Sequence, residues 1–376
     1  MSGANLPPAW IEAAARHPVQ TPAYVYSMAQ VAWQMRALRE ALGTPIVVMV
    51  AACNNPDVLA RLPEDVRFGA RCASRHEMNI VSAWKSDHLY VGLPALEAPS
   101  ARAALGGRYS IVIDAPQQLE TLAELRGARR VAPVTLSLAR SLAGADGTSL
   151  QGMDREAFLL ALERSLKHDI QIGGVQMYAG RNGFAAHGLG VAKALREFVQ
   201  AAEDRLGYRL LTVNLGGGLE DDWWRHGHDF MAYRGELSRF PSHLQLMHEL
   251  GRSIFAPAGA FLTRVVGTKR TQGRALAVCD GGRVQAQALA GIGTEGRTSP
   301  LVLRNGEVLP EAGDAEAAEA TLVCGASAGD GDVLAQCAQD LRAGDLLAFP
   351  GAGAYMQSGS PTQYLGHAQA HTYVCS

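Results

Sequence analysis

The sequence predicts an α/β fold, a TIM-type (β/α)8 barrel followed by a C-terminal β domain. Eight short apolar runs recur between residues 45 and 250, amphipathic stretches separate them, and after Arg252 the chain turns to β-type runs punctuated by Gly and Pro. The length of 376 residues accommodates both parts, and 48% hydrophobic against 19% charged residues suits a large buried core.

In chain order, the segment 21–27 (TPAYVYS) alternates like a strand and is expected to return to the β domain, so that the barrel is inserted between two pieces of it. The expected boundaries are 24–255 for the barrel, with 1–23 and 256–376 forming a β-sandwich or β-barrel domain. The eight runs are 45–52, 68–74, 88–94, 109–115, 132–138, 172–180, 210–218 and 244–250. Stretches between them, such as SMAQVAWQMRALREAL and MDREAFLLALERSLKH, carry apolar residues at i, i+3 and i+4, the period of a helix covering a sheet. Beyond the barrel, the acidic, Ala-rich segment 305–321 reads as an exposed excursion without chemistry.

Thirty-four basic residues against thirty-six acidic ones give a formal net charge of −2, so no global field favours nucleic acid or an anionic membrane. The six cysteines are scattered without a CxxC and read as reduced thiols. The first eighteen residues lack a secretory pattern and no window is apolar enough to span a bilayer, so a cytoplasmic protein is expected. P-loop, GxSxG and HExxH motifs do not occur.

In such a barrel, reactive groups sit at the C-terminal strand ends. That rule selects Ala51 to Asn55, Cys72 to Arg75, Asp114, Ser137, Tyr178 to Arg181, Gly216 to Gly218 and Glu249 to Ser253. Gly216, Gly217 and Gly218 would let backbone amides approach an anion, although such a turn is more often tight geometry alone. Arg252 adds a cation beside them and Glu249 a carboxylate one strand away. Cys53 and Cys72 end adjacent strands and are read chiefly as packing residues. His226-Gly227-His228-Asp229 has the look of a metal site but lies in a polar loop, and no metal is expected there. Trp223 and Trp224 would either wall a ligand or pack that loop.

With TPAYVYS, NNPDVL, ARCASRHEM, NLGGGLE, ELGRSIFAPAGAFLTRVV, GDGDVLAQ and RAGDLLAFPGAGAY in order, nearly the whole chain resembles the fold-type III pyridoxal-phosphate (PLP) decarboxylases, which include ornithine and diaminopimelate decarboxylases. The terminal segment 349–374 is most similar to the branch working in siderophore biosynthesis. The resemblance implies the architecture shared by alanine racemase and these decarboxylases. It also implies that Gly216, Gly217, Gly218 and Arg252 face a cofactor phosphate with help from Tyr355. Glu249 would pair with the pyridine nitrogen, and Asp332 would reach across a homodimer interface into the partner's site.

The departures from this pattern cluster at one place. Aligned on NPDVL, Ala51 occupies the position of the Schiff-base lysine, and the only lysines are Lys85, Lys167, Lys193 and Lys269, none at a strand end. Tyr178 stands for the ring-stacking histidine, Arg181 for a phosphate-touching serine, and Ala328 for a catalytic cysteine. Tyr178, Glu249 and Cys53 remain as candidate catalytic groups, and Arg181 as an anion-binding one. Glu249 favours a retained cofactor, because a carboxylate facing an empty apolar pocket would cost a few kcal/mol. The cofactor is therefore open: PLP or pyridoxamine phosphate (PMP) held non-covalently is compatible, and covalent PLP is not expected. The leading reading is a repurposed enzyme acting on an amino-acid-like ligand in siderophore or related biosynthesis. The alternatives are a non-catalytic pseudoenzyme that binds a metabolite or pairs with an active paralogue and, least favoured, a conventional decarboxylase.

Overall fold

Eight parallel strands close the barrel of the computed structural model in sequence order: β2 (Ile46–Met49), β3 (Arg67–Cys72), β4 (Leu89–Gly92), β5 (Tyr109–Ile113), β6 (Val134–Leu138), β7 (Ile172–Met177), β8 (Thr212–Asn214) and β9 (Gln245–Leu250). The strand preceding them is β1 (Ala23–Ser27). The structure describes residues 19–376 except 106–107, 128, 130, 146–149, 290–298, 311–319 and 328–330. Ala328, the first eighteen residues and most of the acidic segment 305–321 lie outside that set.

All eight predicted runs hold a barrel strand. The runs ending at 180 and 218 overshoot, because Gly180, Gly216 and Gly218 adopt φ of +99°, +65° and +101°, and the chain leaves the sheet before them.

Nine helices among the described residues complete the chain: α1 (Met28–Leu42), α2 (Pro56–Ala60), α3 (Arg75–Ile80), α4 (Ala98–Leu105), α5 (Gln117–Arg126), α6 (Arg155–Lys167), α7 (Phe184–Leu206), α8 (Phe230–Leu237) and α9 (Arg252–Phe255). Two of the motifs that carry the resemblance are helix starts. In NNPDVL, Asn55 accepts from the Asp57 and Val58 amides and Pro56 opens α2. In CASRHEM, Ser74 accepts from Glu77 N while the Glu77 carboxylate takes the Ala73 amide at 2.7 Å, a capping-box arrangement. Helix α6 starts on an Asp154 cap and buries Phe158, Ala161, Leu162 and Ser165 at helical spacing.

Parity along the strands decides which residues fill the barrel. The Tyr90 hydroxyl on β4 donates to Met247 Sδ on β9 at 3.4 Å, and Val47, Tyr90, Val112 and Met247 form one buried cluster, so these positions face inward. Two residues further along, on the same faces, come Gly92 and Glu249, while Arg71 (paired with Tyr90) and Asn214 (paired with Met247) share the inward parity. Gln176 pairs with Asn214 and Ser137 with Gln176. An apolar layer is thus topped by a polar one made of Arg71, Ser137, Gln176, Asn214 and Glu249.

The chain divides into two compact units, one comprising 34–54 and 63–253 and the other the residues up to 33, 55–62 and those from 254 onward. The second unit contains β10 (Gly259–Thr271), β11 (Arg274–Cys279), β12 (Leu301–Arg304), β13 (Glu307–Val308), β14 (Thr321–Cys324), β15 (Val333–Cys337), β16 (Leu346–Pro350) and β17 (His371–Cys375). Its sheet runs β13-β12-β16-β10-β11-β14-β15, with β1 antiparallel to β10 and parallel to β17. The sequence boundary at residue 24 therefore falls inside β1, whose pairing lies wholly within this sheet. Within the segment 305–321, Glu307–Val308 is a strand paired with β12.

Candidate functional site

The glycine loop after β8 is bound to its neighbours through backbone contacts that leave no room for side chains. A Cβ on Gly216 would lie 2.3 Å from Met177 O, one on Gly217 2.3 Å from Glu249 O, and one on Gly218 2.5 Å from Gly180 O. Gly216 N–H donates to Asn214 Oδ1 at 2.9 Å, Gly216 O accepts from Glu249 N at 2.8 Å, and Gly218 O accepts from Phe184 N, the first residue of α7. The ends of β7, β8 and β9 are thereby fixed against one another.

Glu249 is 13% exposed and is not in an apolar pocket. Asn214 Nδ2 donates to its Oε2 at 3.0 Å, and Arg71 Nε lies 3.8 Å from the same oxygen with Arg71 also 13% exposed. These partners correct the desolvation argument drawn from the sequence, since the protein supplies its own compensation for the charge. Arg71 reaches Glu249 because Gly92 has no side chain: a Cβ there would overlap the Arg71 guanidinium.

Tyr178 follows β7 and is 42% exposed. Loss of surrounding water lifts its hydroxyl above the ordinary phenol value; Arg252 opposes that lift, Glu249 adds to it, and Arg181 and Arg140 oppose it. Tyr178, Glu249, Arg252 and Arg181 are thus brought into one electrostatic neighbourhood. Arg140 joins them from the turn after β6, its guanidinium lying against Gly180.

Ala51 sits half-buried in the single turn Val50–Ala52 after β2, and Cys53, 3% exposed, follows with its amide bonded to Val50 O. The four lysines are all exposed: Lys85 in the connection before β4, Lys167 at the end of α6, Lys193 on α7 and Lys269 on β10. In the sheet unit, Tyr355 is exposed with φ of +59° on the loop after β16. Asp332 is buried at 2% and accepts from Arg283 N, Ser327 N and the Ser327 hydroxyl at 2.6–2.9 Å, so both carboxylate oxygens are engaged within its own subunit.

The histidine-rich loop is held by its own carboxylates. His226 meets Asp222 at 2.7 Å, His228 meets Glu220 at 2.9 Å, and Asp229 caps α8. Among the described residues no group of three or more His, Cys, Asp or Glu is arranged to hold a metal ion. Trp223 packs edge-on to Trp224 and Phe230 and donates to Gln34 at 2.8 Å, so it packs the loop. None of the six cysteines forms a disulfide, and burial pushes Cys72 up to about 12, unsuited to a nucleophile.

Sequence reading missed Arg71, Arg140, Gln176 and Asn214. The alternation in RFGARC places Arg71 on the same face as Gly69 and would have revealed it; Arg140 lies three residues past a selected strand end and carries no such signal.

This geometry is accompanied by clear relatives. The family model described as pyridoxal-dependent decarboxylase, C-terminal sheet domain, matches residues 23–353, and the chain belongs to that family. It is 30% identical over 372 residues to a diaminopimelate decarboxylase of Actinosynnema pretiosum, covering 89% of this chain and 79% of the relative. It is 29% identical over 294 residues to that of Pseudomonas aeruginosa, covering 69% and 67%. Its fold is that of the lysine/ornithine decarboxylase of Vibrio vulnificus solved with putrescine (TM-score 0.79, 20% identity, 97% of each chain). The arginine decarboxylase of a Paramecium bursaria Chlorella virus bound to agmatine has the same fold (TM-score 0.80, 17% identity, 95% and 97%). The chain is a PLP-dependent-decarboxylase-like protein of fold type III. Among the described residues no helix is long and apolar enough to cross a membrane.

Proposed function

We propose that this protein binds a phosphorylated pyridoxal-type cofactor without a covalent link and acts, as a homodimer, on an amino acid or amino-acid-derived substrate of siderophore-type biosynthesis. The residues present fit the phosphate and ring of that group. The Gly216–Gly218 loop packs so closely that side chains are excluded, Arg252 follows the adjacent strand, and Glu249 is held in place by Asn214. They do not fit a covalent anchor. The observation that carries the reading is the placement of the lysines: all four are exposed and none follows a barrel strand, while the turn after β2 offers Ala51.

When bound, such a cofactor draws electrons from a substrate carbon into its ring. The protein's part would be positional: Gly216–Gly218 and Arg252 would hold the phosphate, Glu249 would keep a proton at the ring nitrogen, and Tyr178 would lie beside the ring. The siderophore placement is supported by the likeness of segment 349–374 to that branch, and the homodimer by the family's habit.

The test is an absorbance titration of the purified protein with PLP, then borohydride reduction and intact-mass measurement. Saturable binding with no stoichiometric adduct is the expected result. A reduced adduct on one lysine at one per chain would overturn the reading and restore a conventional decarboxylase.

A further inference from the structure

Helix α6 carries more apolar surface than the barrel uses. Phe158, Ala161, Leu162 and Ser165 form its buried stripe, while Glu156, Leu159, Leu160, Glu163, Leu166 and Lys167 form an exposed one on the opposite side. Leu159, Leu160 and Leu166 are 44%, 37% and 51% exposed. One exposed leucine is ordinary, but three on a single outward stripe are apolar area that no contact within the chain employs.

The charges of the helix sort in a matching way. Arg155 lies over the Phe198 ring of α7 at 4.9 Å, Arg164 meets Glu120 of α5 at 3.2 Å, and Glu163 meets Arg205 of α7 at 2.6 Å. Glu163, the charge that interrupts the leucines, is therefore already answered. Glu156 and Lys167 stand at the two ends of the stripe and make no ion pair among the described residues. The helix macrodipole accounts for an acid in the first turn and a base in the last, but not for the leucines between them.

A stripe with an acid at one end, a base at the other and leucines between them is complementary to itself turned end for end. Two α6 helices packed antiparallel about a two-fold axis between Ala161 and Leu162 place Glu156 of each copy level with the partner subunit's Lys167. The same axis brings Leu160 within about 5 Å, along the helix, of its own counterpart, and sets Leu166 beside the partner subunit's Leu159. The two macrodipoles then run in opposite directions, which adds to the fit.

We propose that the outer face of α6 is a self-association surface on which a second copy of this chain docks antiparallel, leucine against leucine, with a Glu156–Lys167 pair at each end. The proposal rests on no part of the cofactor reading.

Sedimentation velocity of the full chain over a concentration series tests it. One α6 pair, about 20 Å long, buries less than the roughly 1,200 Å² of a stable interface, so association with Kd on the order of 10–100 μM is expected. Leu159→Glu and, independently, Leu166→Glu should each weaken it at least tenfold with Tm changed by only a few degrees, since both side chains are exposed. Glu156→Lys should weaken it about fivefold by turning two end pairs repulsive, and adding Lys167→Glu to that variant should restore the wild-type association. The same weight-average mass in the wild type and both leucine variants at every concentration overturns the surface. A doubly exchanged chain that associates as weakly as Glu156→Lys alone overturns the antiparallel pairing.

Discussion

Replacing Gly217 by alanine tests whether the glycine loop and Glu249 are one rigid unit. The added Cβ would lie 2.3 Å from Glu249 O and 3.1 Å from Leu250 Cδ2, so a backbone atom of β9 opposes it and no rotamer change relieves the contact. Restoring an ordinary separation requires a shift of about 1 Å, which opens the Glu249 N to Gly216 O bond of 2.8 Å. Overpacking at about 1–3 kcal/mol and one lost hydrogen bond at about 1 kcal/mol sum to about 3 kcal/mol. At about 2–4 °C per kcal/mol for a unit of this size, Tm falls by about 6–12 °C. Because the shift moves Glu249 with the loop, PLP binding should weaken at least tenfold in variant that is still folded at 20 °C. Gly235→Ala is the matched control. Gly235 lies inside α8 with open space where its Cβ would go, so alanine there should stabilise by about 0.5–1 kcal/mol. A Gly217→Ala protein with wild-type Tm and PLP affinity would refute the rigid-unit argument.

Further outcomes follow from other contacts. His248 is fully buried between Thr44 Oγ1 (2.6 Å) and the Tyr233 hydroxyl (2.8 Å), and burial lowers its pKa to about 3 from 6.5. Between those values the unfolded chain takes up a proton that the folded one refuses, so stability drops on acidification from pH 6.5 towards 3, by up to about 1.4 kcal/mol per pH unit; His248→Gln should flatten that slope in denaturant melts. In the sheet unit, Arg304 grips the buried Asp345 with two bonds of 2.8 Å and holds its carboxyl below the usual value. That stabilisation is present above the ordinary carboxylate pKa and lost as pH falls through the lowered one, and Arg304→Ala should lower the denaturation midpoint at pH 7 and flatten its fall on acidification. Glu249→Gln should weaken PLP at least tenfold in the absorbance titration with Tm changed by only a few degrees; unchanged affinity would remove Glu249 from the ring nitrogen.

The barrel was legible because its information is local. Each of the eight runs has strand period and a helix-period neighbour, and a closed parallel barrel needs little more. The loop residues at strand ends were legible for the same reason. What the sequence hid is pairwise and distant: Arg71 meets Glu249 178 positions later, and Gln176 meets Ser137 only because β6 and β7 are in register. The surroundings of Glu249 were misread for that reason, since a carboxylate between His248 and Leu250 in sequence meets Arg71 and Asn214 in space. In the loop 226–229, the acidic partners of the histidines lie upstream at Glu220 and Asp222, so a spacing that resembles a metal site is a set of loop-closing pairs.

The cations around Tyr178 and Glu249 are guanidinium groups, and that bears on what this site can do. A lysine can give up its proton, present a lone pair to a carbonyl and carry a substrate covalently; a guanidinium keeps its charge across the working range and has only donors to offer. Arg71, Arg140, Arg181 and Arg252 around Tyr178 and Glu249 therefore supply orientation and electrostatic stabilisation without nucleophilic nitrogen. Glu249 is compensated in this cationic setting by Arg71 and Asn214, and its amide, tied to the glycine loop, places it one strand from that loop. A positively charged ring nitrogen facing a carboxylate, with anionic groups of the same ligand facing the arginines, satisfies both signs at once. Neither a neutral metabolite nor a polyamine does so.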